Sequence, residues 1–238
     1  MTDLSKVYKT LAETWRPPPD LSIDSWSDSF RKLSSESSAE PGQWRTDRVP
    51  FQREIMNVIN DPSIEEVSFM KSAQVGATEL ILNTIAYYID QEPAPILVLQ
   101  PTLSMAQTFS KDRLAPMLRD TTKLKDKVKD PRTRDAENTT LHKKFPGGHI
   151  TIVGANSASG LASRPIRILL CDEVDRYPPS AGTEGDPINL ARKRTTTYYN
   201  RKVIMVSTPT IKGMSRIEKA YAESDQRIYH VPCPESHK

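Results

Sequence analysis

Val67-Ser68-Phe69-Met70-Lys71-Ser72-Ala73-Gln74-Val75-Gly76-Ala77-Thr78 is the stretch on which the fold of this chain turns. Its first four residues suit a short buried strand. Residues 71–78 compare with the phosphate-binding loop G-x-x-x-x-G-K-[ST], whose backbone N–H groups cradle phosphates at the start of a helix. Gly76 and Thr78 hold the second glycine and the hydroxyl, Ala77 stands where the lysine is expected, and Lys71 stands where the first glycine is expected. The positive charge has moved from the end of the loop to its start. A lysine there can reach back over β and γ phosphate oxygens, while Thr78 supplies a hydroxyl to Mg²⁺. Ser72, Ala73, Gln74 and Val75 complete the cradle. Thr78 to Ile89 reads as a helix, with Leu80, Ile81, Ile85, Tyr88 and Ile89 spaced for one face. An ordinary strand–turn–helix with one glycine shares this pattern, so the rest of the chain must decide.

Ile166 to Cys171 is an apolar strand broken only by Arg167, and Asp172-Glu173 follow it. Open α/β sheets bind ligands at the carboxyl ends of their strands. An aspartate there can hold a Mg²⁺–nucleotide, and the adjacent glutamate can polarise an attacking water as general base. An acidic pair after a strand is also a common loop start, but a phosphate-loop pattern upstream favours the chemical reading. Pro95 to Gln100 and Val203 to Val206 are further buried strands. The second ends in Ser207-Thr208-Pro209-Thr210, hydroxyls that can sense a γ-phosphate or simply form a turn. Phe51-Gln52 opens the helix before the phosphate-loop strand. Its amide matches the donor and acceptor edges of adenine and its ring can stack, or it is a plain helix start with an exposed glutamine. Strands alternating with helices predict a mainly parallel central sheet with helices on both faces; with the phosphate-loop pattern this is the three-layer α/β fold of P-loop NTPases of the RecA/ASCE type.

The remaining segments frame this unit. Trp15-Arg16-Pro17-Pro18-Pro19-Asp20 is proline-stiffened. Ser22 to Leu33 suits a short amphipathic helix with Ile23, Trp26, Phe30 and Leu33 on one face, and Ser34 to Gly42 reads as a linker. Residues 1–45 therefore form an arm and linker before a domain over 46–238, and the arm either straps the domain or docks a partner. The helix starting near Leu103 is expected to end or kink by Pro116. Lys123, Lys125, Lys127, Lys129, Arg132 and Arg134 make a loop-like basic cluster, open to phosphate-backbone contact or to simple solvation. Thr140 to Phe145 and His149 to Val153 flank Pro146-Gly147-Gly148, a hairpin signal. Gly154 to Ser163 is small and polar.

Composition sets outer limits. The 238 residues suffice for one large α/β domain or a domain with an arm. With 33 Lys+Arg against 30 Asp+Glu the net charge is +3, which permits a local nucleic-acid face without arguing for one. Two cysteines, Cys171 and Cys233, are too few for a disulfide framework and suit a reducing cytoplasm. No apolar stretch approaches membrane-spanning length and the N-terminus lacks a signal-peptide pattern, so no membrane partner is expected. Cys233-Pro234-Glu235-Ser236-His237 offers at most half of a four-ligand zinc site.

Residues 44–54, Phe69 to Gly76, Gln100-Pro101-Thr102 and Cys171-Asp172-Glu173-Val174-Asp175-Arg176-Tyr177-Pro178 resemble the lambda-type (GpA) large subunits of phage terminases, the motors that pump DNA into viral proheads. The early lysine is a known variation among terminase phosphate loops. The resemblance implies ATP and Mg²⁺ as cofactors, with Lys71 to Thr78 as the phosphate loop and Phe51 and Gln52 on the adenine side. It implies Asp172, with Thr78, as the Mg²⁺ site, Glu173 as the catalytic carboxylate, and Ser207-Thr208-Pro209 as the motif coupling hydrolysis to movement. Arg164 is a candidate arginine finger acting on a neighbour's nucleotide, with Arg167, Arg192 and Arg194 as rivals. The implied partners are double-stranded DNA, the portal and procapsid, a small terminase subunit, and copies of the chain in a ring, with a monomer as the isolated form, all in the host cytoplasm. The family's full-length proteins continue into a nuclease domain. This chain ends at Lys238, so cutting is not expected of it. A helicase-like ATPase would need a second RecA-like domain. A non-hydrolysing binding or scaffolding module would have Ala77 as its lesion, whereas a working early lysine implies that Ala77→Lys is tolerated.

Overall fold

The computed structural model describes Tyr8 and residues 20–129, 138–162 and 164–231. Helix α1 (Ile23–Phe30) ends where Arg31 turns extended. Leu33 thus leaves the helix and enters β1 (Lys32–Leu33), which pairs antiparallel with β2 (Gly42–Gln43). The expected linker is the loop of this small ribbon. Ile23 and Trp26 are fully buried in the main core, and the Trp26 indole N–H donates to Asp90 Oδ2 at 2.7 Å. Buried Arg31 pairs with Glu79 at 2.8 Å, one residue beyond Thr78. The arm, from residue 20 on, is packed as a strap.

Helix α2 (Phe51–Asn60) leads into β3 (Glu66–Met70), the phosphate loop and α3 (Ala77–Asp90). Then follow β4 (Ile96–Gln100), α4 (Leu103–Thr108), a π-helical turn over Phe109–Leu114, α5 (Ala115–Asp120) and α6 (Thr122–Lys125). Pro116 therefore does not end the helix. It sits in the first turn of α5, after a widened π turn. Near a helix start a missing N–H costs little, and a π turn is one of the ways a helix accommodates a break in its ladder.

The hairpin forms as β5 (His142–Phe145) and β6 (Gly148–Gly154), paired antiparallel. Gly147 has φ 85°, which suits the third position of a type II turn after Pro146. Within the small polar stretch that follows, α7 (Ala158–Ala162) forms. The chain ends its described course with β7 (Ile168–Asp172), α8 (Pro187–Arg192), β8 (Lys202–Ser207) and α9 (Arg216–Ala222).

The six-stranded sheet has the order β3-β8-β7-β4-β6-β5. All neighbours are parallel except the β5–β6 pair. Both faces are covered, and the strand sequences show why. Side chains alternate sides along a strand. Ile96, Val98, Ile168, Leu170, Ile204 and Val206 face one core with α1, α2, α3 and α5. Leu97, Leu99, Leu169, Cys171, Val203 and Met205 face a second core with α7, α8 and α9. Strands buried on both faces must be apolar throughout, and β4 and β7 read that way. Among the described residues, no helix is long and apolar enough to cross a membrane.

The last strand in sequence, β8, lies between the phosphate-loop strand and the acidic strand. Register then gathers the chemistry. Met70 pairs with Ser207 and Asp172 with Val206, so Lys71, Thr208 and Glu173, each the first residue beyond its strand, emerge at the same end of the sheet, Glu173 one position behind the other two.

Candidate active site

The phosphate loop starts one residue beyond β3, where Lys71 N–H donates to Ser207 O at 3.1 Å. It closes through two left-handed residues, Gln74 (φ 59°) and Gly76 (φ 73°). Gly76 O then accepts from Glu79 N at 3.0 Å and Leu80 N at 3.3 Å, beginning α3. Glycine is needed at 76 on two counts. Its φ is positive, and a Cβ there would lie 3.2 Å from Gln52 Nε2. Ser72, Ala73 and Gln74 are exposed, and Thr78 is half-buried in the first turn of α3.

Gln52 is not the exposed helix-start residue that one expectation allowed. It is fully buried, and its Nε2 donates to Val75 O and Gly76 O, both at 3.1 Å. The donor half of the amide is committed to bracing the loop, so it does not read adenine with both edges. The acceptor Oε1 has no partner among the described residues. The Phe51 ring is half-buried, 6.5 Å from Phe69 and 5.9 Å edge-on from Tyr229. Tyr229 carried no signal in the sequence.

Ala77 is 4% exposed and packs in the main core. A lysine at 77 would have to be forced among apolar side chains, which corrects the expectation that Ala77→Lys is tolerated. Lys71 is the loop's cation. Strands β3 and β7 are two positions apart, about 10 Å. The lysine stretches across the end of β8, donating to Thr208 Oγ1 at 3.0 Å and Glu173 Oε1 at 2.7 Å. Glu173 Oε2 is buried without a hydrogen bond, 3.6 Å from Arg176 Nε. Glu173 itself holds φ 54°, an uncommon setting for a non-glycine residue and a frequent one at functional turns.

Asp172 is buried, and its Oδ2 accepts from Gln100 Nε2 at 3.1 Å. Gln100, assigned no role from the sequence, orients the carboxylate from the neighbouring strand. Burial, with Glu173 adding to it, pushes the Asp172 carboxyl up to about 6 against the Gln100 hydrogen bond. A carboxylate so placed is suited to a cation. Mg²⁺ is commonly held by one or two carboxylates plus substrate phosphates, and Asp172 with the Thr78 hydroxyl, which makes no hydrogen bond with the described residues, fits that donor set.

The sign of the Asp172 shift makes a prediction. The folded value lies above the ordinary carboxylate value, so ionisation opposes folding. The cost is absent below about pH 4, grows as pH rises, and is complete above about pH 6. Asp172→Asn keeps the acceptor for Gln100 and removes the charge. We expect it to stabilise the nucleotide-free chain by on the order of 2–3 kcal/mol near pH 7.5 and to change little near pH 4. Urea unfolding at both pH values checks this; equal effects at the two would contradict it.

The arginine candidates separate. Arg167 is buried, pairs with Glu92 at 2.5 Å, donates to Asn200 O at 3.1 Å, and lies 5.5 Å over the Tyr88 ring. That is a structural post. Arg192 pairs with Glu66 at 3.0 Å, and Arg194 has a buried Nε without a partner. Arg164 is exposed and makes no hydrogen bond or ion pair with the described residues. It borders a small cavity with His149, Thr151 and Leu161, before the amino end of β7. That strand is about 13 Å long, so Arg164 is remote from its own chain's acidic pair.

Of the basic cluster, Lys127 pairs with Asp90 at 2.5 Å and Lys123 lies 4.9 Å over the Phe30 ring. Both have structural work. Arg132, Arg134, the Trp15–Pro19 run and the Cys233–His237 run lie outside the described residues. Cys171 is a free, buried thiol in β7.

A mainly parallel sheet with a lysine-bearing phosphate loop, an acidic pair two strands away and a hydroxyl between them defines a P-loop ATPase. The chain belongs to the family described as phage terminase large subunit gpA, ATPase domain, whose model matches residues 38–238. It is 34% identical over 219 residues to the terminase large subunit of Enterobacteria phage P21, covering 91% of this chain and 34% of that protein. It is 31% identical over 226 residues to the terminase large subunit of Escherichia phage lambda, covering 94% of this chain and 35% of that protein. The chain thus spans about a third of the length of these curated relatives. In fold it is similar to the HK97 bacteriophage large terminase (TM-score 0.63, 14% identity, 88% of this chain and 43% of that one). It is also similar to the large terminase ATPase domain of Thermus phage P74-26 (TM-score 0.52, 14% identity, 76% and 73%).

Proposed function

We propose that this domain is the ATP-hydrolysing motor of a DNA-packaging terminase, coupling hydrolysis to movement of double-stranded DNA into a procapsid. The observation that carries this reading is the meeting of Lys71, Thr208 and Glu173 at the carboxyl end of the sheet. Backbone N–H groups of Lys71 to Thr78 receive the phosphates, and Lys71 leaves Glu173 for the β and γ oxygens. Glu173, relieved of its ion pair, then orients and deprotonates the attacking water. Thr78 and Asp172 hold Mg²⁺, which when bound neutralises charge on the β and γ phosphates. The half-buried Phe51 ring makes the adenine side, with Gln52 bracing the loop behind it. Ser207 and Thr208 register the γ-phosphate through Lys71.

Arg164 acts on the nucleotide of the next copy in a ring. Its exposure, its lack of a hydrogen bond or ion pair with the described residues, and its distance from its own acidic pair support action in trans. The other partners are the portal and procapsid and a small terminase subunit, in the host cytoplasm.

ATP turnover and displacement of a third strand from linear duplex DNA test this, using ring-assembled or DNA-bound chain because the finger acts in trans. We expect DNA-stimulated hydrolysis that Glu173→Ala abolishes, together with strand displacement. Hydrolysis no greater than that of Glu173→Ala would favour a non-hydrolysing binding module. Separation of the duplex itself would favour a helicase-like ATPase.

A further inference from the structure

The turn after Glu173 is bound to the segment after β8 from two sides. Val174–Arg176 forms a 3-10 turn that rigidly joins Glu173 to Asp175. The Asp175 N–H donates to Ser207 Oγ at 3.2 Å. Its carboxylate accepts from Thr210 N–H at 2.9 Å and Thr210 Oγ1 at 3.1 Å on one oxygen, and from Ile217 N–H at 2.9 Å on the other. On the far side of the turn the Arg216 guanidinium donates to the carbonyls of Val174 (3.3 Å), Tyr177 (2.8 Å) and Pro178 (2.8 Å). Burial pushes the Asp175 pKa up, but hydrogen bonds from Ser215, Ile217 and Thr210 outweigh it and hold the carboxyl below its ordinary value. It is therefore an ionised, fully engaged acceptor at neutral pH.

Between Thr210 and Ile217 the chain makes a loop whose Ile211 and Met214 are 65% and 80% exposed. Large apolar side chains held in water at the end of a braced loop are available to press on whatever the loop meets. The loop's ends are fastened to the turn that carries Glu173, and Thr208, just before it, is hydrogen-bonded to Lys71. Displacement of Lys71 from Glu173 by a phosphate therefore acts on both ends of one hydrogen-bonded body.

We infer that Asp175 is a positioning residue: through it the turn bearing Glu173 and the β8–α9 loop move as one unit, so that a change at the acidic pair reaches the loop tip. This rests on the assignment of Glu173 as the catalytic carboxylate. Asp175 touches no substrate. It sets where Glu173 points and carries that setting outward. Asparagine keeps the size but cannot accept from both Thr210 N–H and Ile217 N–H, because one of its two terminal atoms is a donor.

The test compares the parent chain with Asp175→Asn and Thr210→Val, reading kcat, KM for ATP, and amide hydrogen exchange across residues 208–215 with and without ATP and Mg²⁺. In the parent we expect ATP to change exchange in this loop. In Asp175→Asn we expect KM within about twofold of parent, kcat lower by about tenfold or more, and loop exchange that is fast and no longer responds to ATP. Thr210→Val removes one donor and keeps the carboxylate, so it shifts the same readouts part of the way. It decides the matter if Asp175→Asn loses its circular dichroism signal. Parent-like kcat and parent-like ATP response in the folded variant overturn the inference and leave the ATPase assignment standing. A parent chain that binds no ATP overturns both.

Discussion

Lys71→Ala is expected to lower kcat/KM for ATP by on the order of 10²–10³-fold, the range seen when one preorganised donor is removed from a site of developing charge. The reason is geometric. Among the loop's side chains only Lys71 is a cation, and it is aimed across β8 at the position between Thr208 and Glu173. Ala77, which stands where the general motif has its lysine, is buried in the core. The double variant Lys71→Ala/Ala77→Lys should therefore not recover activity. Nucleotide binding by calorimetry, with steady-state hydrolysis, checks both claims. Parental activity in Lys71→Ala would remove Lys71 from the mechanism, and recovery in the double variant would show that the two positions are equivalent.

Glu173→Gln should separate binding from chemistry. The amide has no basic oxygen to take a proton from water, so kcat falls by about 10²–10⁴-fold, the usual contribution of a general base. ATP binding should tighten, because Lys71 no longer has to leave an ion pair 2.7 Å away before it meets a phosphate. A measured Kd for ATP weaker than that of the parent would contradict this account of the resting pair. Arg176, 3.6 Å from the other Glu173 oxygen, is too exposed to replace Lys71 as the counter-charge.

Much of this architecture was legible in the chain. Strands β4, β7 and β8 are apolar at nearly every position because both faces of the sheet are covered, and such runs stand out against a mildly charged background. Pro146-Gly147 marked its hairpin through the backbone angles those residues favour. Lys71, Asp172 and Glu173 stood out as candidates because they sit at or just beyond the ends of apolar strands. What escaped notice depended on non-local contact. Gln52 braces the phosphate loop through carbonyls more than twenty positions away, and nothing in its own neighbourhood distinguishes that from a surface amide. Gln100 reaches Asp172 only through the pairing of β4 with β7, and Asp175 reaches Ser207, Thr210 and Ile217 only because β8 lies beside β7. The helix through Pro116 escaped because a local rule about proline ignores a π turn ahead of it. Helix α7 escaped because alanine, serine and glycine do not announce a packed face.

The family match begins at residue 38, yet α1 lies upstream of it and contributes Ile23 and Trp26 to the interior. Arg31, also upstream, is the buried counter-ion of Glu79 on the helix that carries Thr78. Trimming the molecule to the recognised boundary would strip away a lining of the hydrophobic interior and strand a carboxylate beside the nucleotide pocket. A fragment that keeps this interior whole therefore begins before Leu21, and whoever excises it for study should cut there.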